Sequence, residues 1–138
     1  MATDAALKLW FSPAPWSDQV ADELRGIAAH DERDVLIFRR QIEAGNMQLM
    51  AIYADGRRVG CLVSSVAHEP DGCALVLNAV AAQPVAGVSL AREILDRWRQ
   101  LARATGARWV RCWTQRRGLV RVLEQDGATA SYVIEVEA

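Results

Sequence analysis

Three β segments joined by two tight turns constrain the fold of this chain more than any other feature. Residues 47–53 alternate as a strand, Asp55-Gly56 is a strong hairpin signal, and residues 59–66 return as the partner strand. Glu69-Pro70-Asp71-Gly72 makes the second turn. The residues that follow, 73–80, are nearly all apolar, which is typical of a strand buried on both faces. The sequence therefore predicts an antiparallel meander that ends in a central strand.

The region before the meander predicts one short strand and two helices. Residues 6–11 suit a first strand, which the prolines of residues 12–15 should stop because proline cannot donate to a ladder. Ser17 is the expected N-cap of the first helix, with apolar residues at helical spacing behind it. Residues 34–43 suit either a strand or a helix that ends at a Gly45 C-cap, and we favour the helix.

The region after the meander predicts the longest helix. Its apolar stripe ends before Gly106 and consists of Leu90, Ile94, Trp98 and Leu101. A strand at 108–114, a short helix at 118–125 and a closing strand at Tyr132–Val136 complete the order. We expect an α+β fold of three layers with a mixed central sheet, in the order β-α-α-β-β-β-α-β-α-β. The 138 residues match the length of one domain, so we assign residues 1–138 to a single unit.

Charge and cysteine usage exclude several classes of function. The 16 basic and 17 acidic residues give a net charge of -1, which disfavours binding to nucleic acid or to anionic lipid. No stretch approaches the roughly 20 apolar residues that a membrane span requires, and we expect no membrane association. The three cysteines form no CxxC pair, so neither a disulfide framework nor a zinc site is indicated. We expect a cytoplasmic protein.

The element order and two local motifs resemble the GNAT N-acetyltransferases. Residues 74–80, a glycine-containing turn and the helix opened by Ser89-Leu90-Ala91-Arg92 are similar to the fourth strand, acyl-CoA loop and third helix of that family. Residues 123–128, Leu-Glu-Gln-Asp-Gly-Ala, stand where family members carry a tyrosine, a polar pair and a glycine before phenylalanine. The resemblance covers nearly the whole chain.

The resemblance implies acetyl-CoA as cofactor. In the family the fourth strand splays from the fifth, and the pantetheine arm pairs with the exposed edge as an extra strand would. Amides near Val80 would then hold the thioester carbonyl, and a helix N-terminus would hold the pyrophosphate. The cofactor-binding residues implied are Ala79, Val80, Gln83, Val85, Ala86, Gly87, Val88, Ser89 and Arg116. The family loop begins with Gln or Arg, whereas this chain has Pro84 there and keeps only the central glycine.

The acid and base of acetyl transfer are not evident in the sequence. The family's glutamate base aligns with Ala74 and its tyrosine acid with Leu123, and neither residue can exchange a proton. The candidate catalytic residues are Asn78, which could orient a water, and His68 with Glu69, which could relay a proton if they face the splayed strands. A polar turn exposed to water is the competing interpretation of His68 and Glu69.

Arginines supply two further candidate sites. Trp109, Arg111 and Trp113 alternate along one strand, which would place an arginine between two indoles. A face covered by a helix is the competing interpretation there. Arg116, Arg117 and Arg121 cluster near the place where the family holds the adenosine 3'-phosphate, although a solvated face explains them equally.

Two functions remain open at this stage. The first is an acetyl-CoA-dependent N-acetyltransferase that acts on an amine of a protein, a peptide or a small molecule. The second is a catalytically inactive GNAT-like module, a pseudoenzyme that binds a protein partner or builds a homo-oligomer. The missing acid and base favour the second hypothesis, and the acyl-CoA loop favours the first.

Overall fold

The computed structural model describes residues 7–27, 32–85, 90–112, 117–125, 127–129 and 136–137. Within them the chain forms five strands and four helices. In chain order these are β1 (Leu9–Pro13), α1 (Asp18–Arg25), α2 (Glu32–Glu43), β2 (Gln48–Ala54), β3 (Arg57–Glu69), β4 (Gly72–Ala82), α3 (Leu90–Thr105), β5 (Trp109–Cys112) and α4 (Arg117–Gln125). The predicted closing strand at Tyr132–Val136 falls almost wholly outside the described residues.

The strands lie side by side in chain order, from β1 at one edge to β5 at the other. The first three strand pairs are antiparallel: β2–β3 and β3–β4 are joined by tight turns, whereas α1 and α2 lie between β1 and β2. Strands β4 and β5 are parallel because α3 carries the chain back between them. The sheet is therefore mixed, and the predicted α+β fold is confirmed.

Two hydrophobic cores, one on each face of the sheet, give the predicted three layers. On one face α1 and α2 cover Leu49, Cys61 and Val63, and on the other α3 covers Ile52, Leu62 and Leu77. Trp98 of α3 anchors the second core: its side chain is fully buried, and its indole Nε1 donates a hydrogen bond of 3.3 Å to the Leu75 carbonyl of β4.

Local signals in the sequence account for most element boundaries. The Ser17 hydroxyl accepts a hydrogen bond of 3.2 Å from the Val20 amide, which confirms the predicted N-cap of α1. Asp55 and Gly56 both have positive φ, 50° and 81°, as the predicted tight hairpin requires. The ambiguous segment at 34–43 is helical, as favoured, because one side of α2 packs Val35 into the core.

The predicted ends of two strands were wrong, since β3 runs from Arg57 to Glu69 and not over residues 59–66, and β1 is longer at its carboxyl end. The first strand was expected to stop before Ser12-Pro13, yet β1 continues to Pro13, which lies opposite Met50 of β2. The reason is that β1 has a neighbour on one side only within the described sheet, and an edge strand tolerates the missing proline amide.

Candidate functional site

The carboxyl half of β4 has a free edge. Pairing between β4 and β5 runs from Ala74 with Trp109 to Leu77 with Cys112, where the described part of β5 ends. Strand β4 continues to Ala82, and residues 79–82 pair with residues 60–63 of β3. Within the described chain, residues 78–82 thus have no neighbour on the β5 side, while residues 79–82 keep their partners on β3; we call this stretch the free edge of β4.

A β-bulge at Asn78 coincides with this change in pairing. Leu77 lies opposite Ser64 and Ala79 lies opposite Val63, so Asn78 is an extra residue without a Cα partner on β3. A bulge bends its strand and increases the local twist. The bulge therefore lies at the first residue beyond the last β4–β5 pair of the described sheet.

The Asn78 side chain holds the bulge to β3. Its Nδ2 donates a hydrogen bond of 2.8 Å to the Ser65 hydroxyl, and both residues are half-buried. No hydrogen bond to its Oδ1 is found within the described part of the protein. Asn78 was predicted from the sequence, whereas Ser65 was not. The sequence signal that could have indicated Ser65 is the pair Ser64-Ser65, which interrupts the apolar stretch of β3.

A cavity of about 330 Å³ lies against the end of β4 on the side of α1. Its walls are the last residues of β4, Val59 of β3 and the carboxyl end of α1. Two acidic residues, Asp22 and Glu23, lie in its lining. Pro84 forms part of the wall of this cavity.

Glu23 is fixed by Arg58. The two guanidinium nitrogens of Arg58 donate to the two carboxylate oxygens of Glu23, each at 2.8 Å, and both side chains are largely shielded from solvent. Glu23 raises the pKa of the Arg58 guanidinium through this hydrogen bond, although partial burial opposes the rise. The pair ties α1 to β3 beside the cavity, and sequence analysis missed it because the two residues are far apart in the chain.

The Cys61 thiol is fully buried and interacts with the Glu23 carboxylate of this ion pair. Burial raises the pKa of Cys61 to about 12, and the neighbouring Glu23 carboxylate adds to the rise. Burial also raises the pKa of Cys112. A thiol with a raised pKa is a poor nucleophile at neutral pH, so neither cysteine is suited to form an acyl-enzyme.

The predicted cofactor-binding residues fall into two groups. In the first group, Ala79 and Val80 lie on the free edge of β4. The Gln83 amide donates a hydrogen bond of 2.7 Å to the Val59 carbonyl, which extends the β3–β4 pairing by one residue. Val85 packs on the core under α3. The remainder, Ala86, Gly87, Val88, Ser89 and Arg116, lie outside the described residues, so their predicted role stays a prediction.

His68 and Glu69 are not brought together with Asn78. His68 lies opposite Cys73, at the amino end of β4, and Asn78 is five positions further along that strand, a separation of roughly 16 Å. His68 is exposed, and Glu69 accepts a hydrogen bond of 2.6 Å from Arg111. A proton relay would require these two residues to lie beside the free edge of β4, and they lie at the opposite end of that strand.

The positions aligned with the family's base and acid are apolar and buried. Ala74 is fully buried in the paired part of β4, and Leu123 of α4 is only 8% exposed. Neither residue offers a proton donor or acceptor.

Arg108, and not Arg111, stacks on the indole of Trp109. Its guanidinium carbon lies 4.7 Å from the ring centre, while Arg111 pairs with Glu69. The second predicted indole, Trp113, is outside the described residues. Arg121 of α4 is exposed.

A larger cavity, of about 930 Å³, lies between α3, β5 and α4. No residue from the free edge of β4 lines it, and its lining includes Cys112 and Thr129, which adjoin residues outside the described ranges. We therefore assign the candidate site to the free edge of β4 in spite of the difference in volume.

Metal sites and membrane spans were searched for among all the described residues. No group of three His, Cys, Asp or Glu side chains there is arranged to hold a metal ion. None of the helices in those ranges has the length and apolar character needed to cross a lipid bilayer.

Comparison with known proteins identifies the fold. No protein-family model and no curated protein sequence matches the chain. Solved structures match along nearly the full length, among them a transcriptional regulator from Bacillus halodurans C-125 at 16% identity, with a TM-score of 0.68 over 95% of this chain and 99% of that one.

Two acetyltransferase structures show the same similarity. A predicted acetyltransferase with acetyl-CoA from Clostridium acetobutylicum is 12% identical, with a TM-score of 0.64 over 94% of this chain and 96% of that one. The ribosomal-protein-alanine N-acetyltransferase from Brucella melitensis biovar Abortus 2308 is 17% identical, with a TM-score of 0.63 over 96% of this chain and 100% of that one. The chain has the GNAT acetyltransferase fold.

Proposed function

We propose that this protein is an acetyl-CoA-dependent N-acetyltransferase. The single observation that carries the proposal is the free edge of β4 beyond Leu77. A strand edge presents unpaired amide and carbonyl groups, and the pantetheine arm of acetyl-CoA contains amides that can pair with them. The side chains at this edge include Ala79, Ala81 and Ala82, which leave room for a ligand to approach the main chain.

The chemistry required of the protein at this edge is positioning. The acceptor nitrogen attacks the thioester carbonyl, the carbon–sulfur bond breaks, and CoA leaves as the thiolate. Main-chain donors near Val80 would orient the thioester carbonyl, and the fixed geometry of two reactants supplies much of a rate by itself. We propose that water takes one proton from the ammonium before the attack and that the leaving thiolate takes the second nitrogen proton as the amide forms, since Ala74 and Leu123 cannot exchange one.

The acceptor is an amine, either of a protein or peptide or of a small molecule. The cavity beneath α1 touches Val80, Ala81 and Ala82, so an amine held there would approach the proposed thioester position from the α1 face. The two carboxylates in its lining are already paired, Asp22 with Arg25 at 2.6 Å and Glu23 with Arg58 at 2.8 Å, so the amine is held there by shape more than by charge. All three cysteines are free thiols, which agrees with action in a reducing cytoplasm.

Ligand binding followed by turnover tests the proposal. We expect acetyl-CoA to raise the melting temperature in proportion to the logarithm of its concentration, because it binds only the folded chain. ADP at the same concentrations is the control for nonspecific nucleotide binding. The protein is then incubated with acetyl-CoA and each of a panel of amines, and a thiol reagent measures the CoA that transfer releases. A melting temperature that does not respond to millimolar acetyl-CoA contradicts the proposal.

A second function is favoured by the buried Ala74 and Leu123. A GNAT-like module without catalysis, acting through a protein partner or as a homo-oligomer, requires neither an acid nor a base. This alternative predicts a defined oligomer or a stable complex with a partner, and no release of CoA with any amine. Size measurement by light scattering, combined with the turnover assay, distinguishes the two functions.

A further inference from the structure

We infer that Asn78 and Ser65 form a side-chain latch that positions the free edge of β4 for acetyl-CoA, which makes them positioning residues and not catalytic ones. The inference rests on the proposed function and concerns the same site. Its first basis is place: Asn78 is the extra residue of the bulge, directly after the last β4–β5 pair.

The second basis is the direction of the hydrogen bond. The Asn78 side-chain amide on β4 donates to Ser65 on the neighbouring strand β3. Ser65 lies opposite Val76, two residues before Asn78 and therefore before the bulge. The bond thus ties the extra residue of the bulge to the regular part of the β3–β4 ladder. A bulge leaves its extra residue unpaired and the ladder locally disrupted, so a side-chain bond there restricts the bend that the main chain leaves free.

The third basis is that the bond is sheltered. Both residues are half-buried, and the neighbouring Val63 and Ala79 are in the core under α1. A hydrogen bond shielded from water holds its partners more firmly than one on the surface. Ser64, the adjacent serine, is 3% exposed and lies opposite Leu77, and no hydrogen bond joins its side chain to Asn78. Only one of the two serines serves the latch.

Calorimetric titration with acetyl-CoA tests the latch. We expect Asn78→Ala and Ser65→Ala each to weaken binding roughly fivefold, the size of one lost hydrogen bond. The double variant should lose no more than either single variant, because both remove the same interaction. Ser65→Thr, which keeps the hydroxyl, should restore binding, and Ser64→Ala should leave it unchanged. Variants that bind as tightly as the wild type overturn the inference.

Amide hydrogen exchange provides a readout that needs no cofactor. In Ser65→Ala we expect faster exchange confined to Asn78 and Ala79, while the amides of β2 keep their protection. Faster exchange throughout the sheet would mean a purely structural role and would overturn the inference. If the wild type fails to bind acetyl-CoA, the proposed function falls, and exchange alone decides the latch: local acceleration supports it, and unchanged exchange overturns it.

Discussion

Leu77 of β4 and Cys112 of β5 form the last residue pair between these two strands in the described part of the sheet. Beyond this pair β4 continues to Ala82 and contacts β3 on its other side. Within the described residues β4 is paired on both sides up to Leu77 and with β3 alone beyond the bulge, so its main chain there is available to a ligand. The same strand therefore serves as core and as candidate binding surface.

Acetyl-CoA should protect the free edge of β4 from hydrogen exchange. Amides of residues 78–82 that point away from β3 should exchange more slowly with the ligand present, because they acquire hydrogen-bond partners. Amides of residues 74–77 serve as the internal control, since β5 already pairs with that part of the strand. Protection that appears elsewhere and not at 78–82 would place the ligand at a different site.

Replacing His68 and Glu69 should leave acetyl transfer unchanged. Along the sheet His68 lies roughly 16 Å and Glu69 roughly 20 Å from Asn78, and Glu69 is engaged with Arg111. We expect His68→Ala and Glu69→Gln to keep the wild-type kcat with the best amine acceptor, and to keep its pH profile. A loss of kcat in His68→Ala would revive the proton relay predicted from the sequence.

Breaking the Glu23–Arg58 pair should destabilise the fold. Arg58→Met leaves the Glu23 carboxylate shielded and unpaired, at a cost of about 2 kcal/mol in the free energy of unfolding. The exposed pair Arg39–Glu43 provides a matched control, and Glu43→Gln, which leaves the contact of Arg39 with Trp16 in place, should cost under about 0.5 kcal/mol. Urea denaturation measures both. Equal costs for the two variants would show that the half-buried pair contributes no more than a surface pair.

Gly60→Ala should be among the most damaging small substitutions in the chain. A Cβ at Gly60 would lie 1.8 Å from the Ala81 carbonyl oxygen, and backbone atoms cannot move aside cheaply. We expect a loss of about 3 kcal/mol by urea denaturation. Gly26→Ala is the control, because its Cβ would come no closer than 3.4 Å to a neighbouring backbone atom. A neutral Gly60→Ala would mean that β3 and β4 are further apart at this point.

Alkaline pH should destabilise the protein through Cys61. Its pKa rises from 9.0 to about 12 in the folded chain, so above pH 9 the unfolded state loses the thiol proton while the folded state keeps it. Stability is fully present below pH 9 and declines between pH 9 and 12. Unfolding free energies measured from pH 8 to pH 11 should fall less steeply in Cys61→Ala than in the control Cys73→Ala. Identical slopes would exclude a buried thiol as the cause.

Local features of the sequence determined the identity and order of the described elements. Ser17 starts α1, Asp55 and Gly56 turn the hairpin, and the apolar stripe of α3 recurs every three or four residues. Such signals act over a few neighbouring residues, so they can be read without knowing what packs against them. The extension of β1 to Pro13 was missed because it depends on β1 being an edge strand in the described sheet.

The sequence alone determined the α+β order and that β4 lies inside the sheet after the second turn, although β3 and not β4 is the middle strand of the five described. Tertiary structure alone decided the register of β4 against β5, that Asn78 reaches Ser65, and that Glu23 meets Arg58. Each of these depends on register between segments far apart in the chain, and register follows from the packing of whole strands and helices. A pattern of residue types cannot specify it, because shifting a strand by one residue exchanges its two faces without changing the sequence.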